Sequence, residues 1–223
     1  MTFSLVARCA RSGQFGMVIS SSSPAVAARC AHVRAGVGAV ASQNVTDPAL
    51  GPLILDHLAS GQGALAALAA VTKGRAHIDY RQLLVIDRAG GIAIHSGLQV
   101  LGQWGEAKGL DCAAGGNLLA DAAVPRAMVA TFEAAEGHLG DRLMAALRGG
   151  LNAGGEAGPV HSAGLKVADR LSWPLVDLRV DWSDNPIDDL TRAWSVYRPQ
   201  MGAYVQRAED PTVAPSYGVP GDE

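Results

Sequence analysis

Residues 2–23 read TFSLVARCARSGQFGMVISSSS. Two runs rich in apolar and hydroxyl side chains, residues 2–7 and 15–20, flank a polar ARSG whose Ser12-Gly13 dipeptide is a turn signal. The pattern predicts a β-hairpin. With the turn centred near Arg11 to Gly13, antiparallel pairing sets Thr2 opposite the serine run at 21–23, so hydroxyls face the start of the first strand. The period of two puts Ser4 and Arg8 on the same face as Thr2. Ser4 is one repeat away, whereas Arg8 lies about 20 Å along an extended strand at roughly 3.3 Å per residue.

Outward from the hairpin, residues 33–42 form a third apolar stretch that closes before Asp47-Pro48, where Pro suits the first turn of a helix. That helix is expected to carry Leu50, Leu53, Ile54 and Leu58 on one face. A second, Ala-rich helix over residues 63–72 would bury Leu65, Leu68, Ala69 and Val71. LLVI at 83–86 and IAIH at 92–95 flank DRAGG, a second hairpin signal. Two helices follow, one with Val124, Met128, Phe132 and Ala135 at helical spacing, the next with Leu139, Leu143, Ala146 and Leu147, ended by Gly149-Gly150. A last strand pair at 163–168 and 175–182 leads to a helix started by Asn185-Pro186. Strands in blocks between helix pairs suit antiparallel sheets between helix layers, not the βαβ rhythm of a parallel sheet. The expected organisation is one domain over residues 1–206 with a poorly ordered tail at 207–223.

Composition narrows the function classes. With 48% hydrophobic and 17% charged residues over 223 positions, the chain can bury a sizeable core. Its formal net charge of -3 comes from intermixed charges with no basic block, so neither nucleic acid nor membrane is an expected partner. Arg8 and Arg11 follow the first apolar run instead of preceding it, unlike a signal peptide. The three cysteines, Cys9, Cys30 and Cys112, are odd in number and widely spaced, as suits reduced thiols in the cytoplasm.

GVGAVA at 36–41 matches a dinucleotide fingerprint as letters, but no convincing strand precedes it and Asp47-Pro48 leaves no room for the helix. It reads better as a Gly-rich buried strand that another backbone approaches closely. No G-x-S-x-G, P-loop, H-E-x-x-H or C-x-x-C is present. In DLRVDW, Asp177 and Asp181 flank Arg179 on one strand face, an ion network and not a metal site. No metal or cofactor is expected. Thr2 offers different chemistry: removal of Met1 would leave a hydroxyl and a free α-amine on one residue. An α-amine with a pKa of roughly 7.7–8 can act as general base for its own hydroxyl.

The strings TFSLVAR, GVGAVASQ, GPLILDHLASG, YRQLLVIDRAGGIAIHSG, GGNLLA, AMVATFEAAEG, LMAALRGGLNAGGE, HSAGLKV and DLRVDW, in this order from Thr2 to about Pro199, closely resemble the bacterial domain-of-unknown-function 1028 family. That family is a branch of the N-terminal-nucleophile (Ntn) hydrolases. The resemblance implies an α+β fold, a four-layer αββα sandwich of two mainly antiparallel sheets between helix layers, with Thr2 at the tip of its first strand. It further implies hydrolysis of an amide or ureido C–N bond of a small-molecule substrate through an acyl-enzyme, in a homo-oligomer. On matching positions, the catalytic set would be Thr2, Ser21 and Asn117, with Asn117 in a Gly115-Gly116-Asn117 turn as an oxyanion donor. Arg81, Gln43, Gln82 and Ser162 would bind substrate, Arg81 by holding a carboxylate. The chain departs from the family pattern at Cys9, at Leu50 and in AGPVH at 157–161, which replaces an Arg-rich stretch. The alternative expectation is a non-catalytic small-molecule-binding or scaffold protein of the same fold.

Overall fold

The computed structural model describes residues 1–222. In chain order its strands are β1 (Thr2–Arg8), β2 (Phe15–Ser21), β3 (Ala31–Arg34), β4 (Gly38–Asn44), β5 (Arg81–Asp87), β6 (Ile92–Ser96), β7 (Gly105–Gly109), β8 (Cys112–Asn117), β9 (Ser162–Ala168) and β10 (Val176–Val180). The helices are α1 (Val26–Cys30), α2 (Leu50–Ala59), α3 (Ala64–Thr72), α4 (Val124–Ala134), α5 (Leu139–Asn152), α6 (Pro186–Tyr197) and α7 (Met201–Glu209). The opening hairpin forms in the register Phe3↔Ser20 through Arg8↔Phe15, with Gly13 in the left-handed conformation (φ 77°) that its turn requires. It occupies the centre of a six-stranded sheet of order β10-β9-β2-β1-β8-β7, and a four-stranded sheet of order β3-β4-β5-β6 packs against it. Every strand pairing among the described residues is antiparallel.

Side-chain alternation builds the layers. On one face of the large sheet, Phe3, Leu5 and Ala7 meet Met128 and Phe132 of α4 and Leu143 and Leu147 of α5. On the other, Val6, Met17 and Ile19 meet Ala39, Ala41, Leu84 and Ile86 of the smaller sheet. The outer face of that sheet, with Val40, Leu83 and Val85, is covered by Ile54 and Leu58 of α2 and Ala67 and Leu68 of α3. The order is helices, sheet, sheet, helices. Each fully buried side chain such as Phe3 or Leu5 contributes about 1.5–3 kcal/mol. Small residues allow close approach: a Cβ on Gly115 would lie 2.9 Å from Leu84 Cδ2 of the facing sheet, and one on Gly38 would lie 2.4 Å from the Ile86 carbonyl oxygen of the neighbouring strand.

Several local expectations are corrected. Residues 33–42 are not one strand but the hairpin β3–β4, turned through Gly36 at φ 67°. Leu53, Leu65 and Ala69 face solvent, while Leu55, Ala64 and Ala67 are buried in their place, because helices this rich in Ala and Leu are apolar on more than one side. The sequence pattern singled out no strand at β7 or β8, and the expected Gly115-Gly116-Asn117 turn is the end of β8. α5 runs on past Gly149 and Gly150, whose missing Cβ atoms admit Thr131 Oγ1 and Met128 Cγ at 2.3 and 2.8 Å. α7 (Met201–Glu209) carries helix across the expected boundary at 206 into residues 207–209 of the tail. The segment beyond folds back so that the Arg207 guanidinium lies 3.7 Å from the Tyr217 ring centroid; Glu223 lies outside the described residues. No helix among the described residues is long and apolar enough to cross a membrane.

Candidate functional site

The space between the two sheets changes character along its length. At one end it is filled by Val6, Phe15, Met17 and Ile86. At the other, the same strand faces carry Thr2 and Ser4 from β1, Ser21 from β2, Gln43 from β4, Gln82 from β5 and Asn117 from β8, all buried. Register brings the set together: Thr2 pairs with Asn117 across β1 and β8, and Gln43 with Gln82 across β4 and β5. Burying this many amides and hydroxyls is tolerable only when they satisfy each other.

Their bonds orient one another. Gln82 Nε2 donates to the Gly116 carbonyl at 3.3 Å and to Ser96 Oγ at 3.1 Å. A backbone carbonyl only accepts, so the nitrogen of Gln82 must point there and its Oε1 must be the acceptor on the other side. That oxygen takes Gln43 Nε2 at 2.8 Å and Asn117 Nδ2 at 3.3 Å. Gln43 Oε1 is thereby left to accept the Ser4 hydroxyl at 2.6 Å. The consequence falls on Asn117. Its amide nitrogen, the expected oxyanion donor, is engaged by Gln82, and the atom left buried without a partner is the acceptor Oδ1.

At the strand tip, Thr2 Oγ1 hydrogen-bonds the Met1 carbonyl oxygen and lies 3.4 Å from Ser21 Oγ. The Ser21 hydroxyl donates to the same carbonyl at 2.5 Å and accepts Ser23 N–H at 3.0 Å. One carbonyl beside the threonine hydroxyl is thus held by two hydroxyl groups. Next to it stands a residue that periodicity did not single out, Glu156, whose backbone bridges Leu119 and whose two carboxylate oxygens share the Ser22 N–H at 3.1 and 3.2 Å. Burial pushes the Glu156 carboxyl up to about 7, against the opposing pull of the Met1 α-ammonium and of Ser22. The AGGE string contained the signal: a lone acid directly after two glycines, both with positive φ, at 116° and 59°. A cleft of about 240 Å³ opens beside Glu156, walled by Leu151, Gly158, Pro159, Val160 and Ile187.

The other two expected site residues stand apart from the Thr2 hydroxyl. Ser162 donates to the Ser23 carbonyl at 2.6 Å and accepts Val26 N–H at 3.2 Å, so its hydroxyl ties down the loop after β2. Arg81 shares a strand face with Leu83 and Val85 and turns away from the inter-sheet space, donating to the Val45 carbonyl. In DLRVDW, Arg179 forms a two-pronged pair with Asp181 at 2.7 and 3.1 Å. His95 and His161 bond the carbonyls of Ile78 and Ser183 and take no part in the site. Among the described residues no three His, Cys, Asp or Glu side chains gather as a metal cradle.

A family model described as "Family of unknown function (DUF1028)" matches residues 2–190. A crystal structure of a DUF1028 protein from Silicibacter pomeroyi is 30% identical, with a TM-score of 0.82 over 88% of this chain and 85% of that one. Two structures of Anbu are more distant. A Gly-1 mutant from Hyphomicrobium sp. strain MC1 has 12% identity and a TM-score of 0.43 over 90% of this chain and 96% of that one. The Anbu ancestral beta-subunit from Yersinia bercovieri has 12% identity and a TM-score of 0.39, covering 91% of this chain and 97% of that one. No curated protein matches the chain.

Proposed function

The chain belongs to the DUF1028 family, and we propose that it is an Ntn-type hydrolase in which Thr2, freed by loss of Met1, cleaves an amide or ureido C–N bond of a small metabolite. The observation that carries the reading is the buried Thr2 hydroxyl 3.4 Å from Ser21 Oγ, with both hydroxyls turned to one carbonyl oxygen. In the processed chain the α-amine of Thr2, with a pKa of roughly 7.7–8, accepts the proton of Oγ1 as that oxygen attacks the substrate carbonyl. Ser21 donates to the carbonyl oxygen as it gains charge, a contribution whose loss costs about 100- to 1000-fold in rate. The ammonium on Thr2 donates to Asn117 Oδ1 and then protonates the leaving nitrogen, and water hydrolyses the Thr2 ester to restore the enzyme. Gln43 and Gln82 hold Asn117 in its orientation, and Ser162 fixes the loop that follows Ser21. The reading includes no cofactor and assigns Arg81 no part in the chemistry; a cytoplasmic homo-oligomer is its setting.

The test compares processed wild type with Thr2→Ala on a panel of small amides and ureido acids. Hydrolysis by wild type and at least ~100-fold slower hydrolysis by Thr2→Ala is the expected result; equal rates exclude Thr2 as nucleophile. Retention of Met1 would leave a second reading, a non-catalytic small-molecule-binding or scaffold protein. With Met1 in place, the nitrogen of Thr2 belongs to a peptide bond and cannot serve as a base. Intact-mass measurement separates the two, since full retention of Met1 by the native protein is compatible only with the second.

A further inference from the structure

We infer that Glu156 is a positioning residue for the proposed reaction: it braces the two strands that flank Thr2 and, through Ser22, aims the Ser21 hydroxyl at the oxygen that gains charge. This rests on the hydrolase reading above and adds the residue that holds its geometry. β1 lies between β2 and β8 in the large sheet. Ser21 and Asn117, on either side of Thr2, therefore stand about 9.5 Å apart, twice the ~4.8 Å between neighbouring strands. Residues 154–157 span that gap.

Each flank is held by a different part of the segment. On the β8 side the hold is backbone: Glu156 bridges Leu119, Ala157 N–H donates to the Leu118 carbonyl at 3.0 Å, and Ala120 N–H donates to the Gly155 carbonyl at 3.1 Å. Leu118, the residue after Asn117, is thereby kept in the left-handed region at φ 51°, which a bulky side chain rarely adopts. On the β2 side the hold is the carboxylate, which takes Ser22 N–H at 3.1 and 3.2 Å. That bond fixes the turn after β2, in which Ser23 N–H donates to Ser21 Oγ at 3.0 Å. With Ser23 as its donor, the Ser21 hydroxyl keeps its own proton to give, in a direction the turn sets. Gly154 and Gly155, at φ 116° and 59°, bend the chain so that one side chain reaches across.

For stability alone an acid is a poor choice at this position. It is 5% exposed, and its one donor among the described residues is Ser22 N–H; burying a carboxyl so sparsely bonded costs free energy that an apolar side chain would not. What the position supplies is reach and an acceptor. Neutral or ionised, Glu keeps an oxygen for Ser22, and Gln would too. Misplacing a group at a reacting centre by ~1 Å can cost about 100-fold in rate, and losing an oxyanion donor costs about 100- to 1000-fold. Loss of the brace should therefore slow the reaction by no more than loss of Ser21 itself.

The experiment uses the full chain with Thr2 as its first residue and p-nitrophenyl acetate, whose acetyl carbon Oγ1 attacks with release of p-nitrophenolate; Thr2→Ala sets the background. Glu156→Ala should lower the maximal first-turnover rate about 10- to 100-fold, with the half-saturating concentration changed less than ~3-fold. Glu156→Gln, which keeps the acceptor, should stay within about 3-fold of wild type. In a Ser21→Ala background, Glu156→Ala should cost less than about 2-fold more, because it acts through Ser21. Hydrogen exchange at the Ser22 amide should quicken in Glu156→Ala and not in Glu156→Gln. If Glu156→Ala does not fold, Glu156→Asp, which withdraws the carboxylate by one methylene, carries the same comparisons. An undiminished effect in the Ser21→Ala background, a Gln variant as slow as Ala, or an Ala variant as fast as wild type overturns the inference and leaves the hydrolase reading standing. Equal release by wild type and Thr2→Ala sinks the hydrolase reading, and the positioning role with it, whatever the exchange rates show.

Discussion

Replacing Gln82 with methionine, which has nearly the same volume, is expected to destabilise the chain by an amount that can be worked out from its bonds. The substitution removes the one oxygen that accepts both Gln43 Nε2 and Asn117 Nδ2. Each is a buried donor, and each left unsatisfied costs about 1–3 kcal/mol, giving about 2–6 kcal/mol in all. Against a typical total stability of about 5–15 kcal/mol, this is a large fraction. In urea, with an m-value of about 3 kcal/mol/M, the midpoint should fall by roughly 0.7–2 M at unchanged m. Gln43→Met in the same background supplies the sharper measurement. It removes one of the two stranded donors while leaving only the Ser4 hydroxyl, free to rotate, without its acceptor. The double variant should therefore cost less than the sum of the singles, by about 0.5–3 kcal/mol. Additivity within about 0.3 kcal/mol, or a cost below about 1 kcal/mol for Gln82→Met alone, would refute the orientation assigned to the network.

Two further outcomes are expected. Gly38→Ala pushes a methyl into the Ile86 carbonyl oxygen and Leu58 Cδ1, at 2.4 and 2.9 Å. It should cost about 1–3 kcal/mol, read from chemical unfolding, and a neutral result would mean that β4 and β5 are more widely spaced than described. For Glu156, the folded-state value of about 7 lies above the ordinary 4.5. The folded chain therefore holds this proton where the unfolded chain has released it, and the contribution to stability is full below about 4.5 and lost as pH rises through about 7. Stability of Glu156→Gln relative to wild type should accordingly rise between pH 4.5 and 8, and an unchanged difference across that window would contradict the burial of the charge.

The hairpins at 2–21 and 81–96 were legible because their β-branched residues and turn dipeptides act locally, and α4, α5 and α6 because their apolar residues recur at helical spacing. β7 and β8 were not, since GEAKG and CAAGGN contain no β-branched residue at all. Their composition answers a tertiary demand: Gly115 must clear Leu84 of the facing sheet and Gly116 must clear Leu119, at 2.9 and 2.7 Å. The missing strand also hid the true setting of Asn117, which could be named from its letters but not oriented. Thr2 and Ser21 were readable as neighbours from one turn. Glu156 and the two glutamines meet the Thr2 end of the fold only through chain separations of tens of residues, which no local pattern encodes.

Those separations also set a clock on the N-terminus. β1 leaves the ribosome first, yet its partner across Thr2 is residue 117, and the carboxylate beside Met1 is residue 156. At roughly 5–20 residues per second of synthesis, on the order of ten seconds pass before the enclosing strand exists. During that interval the Met1–Thr2 bond is open to a processing enzyme. Afterwards its carbonyl is clasped by two hydroxyls and its threonine is buried. For the proposed hydrolase, which must begin with threonine, trimming would race the closure of that strand, and slower elongation after residue 23 would favour the trimmed form.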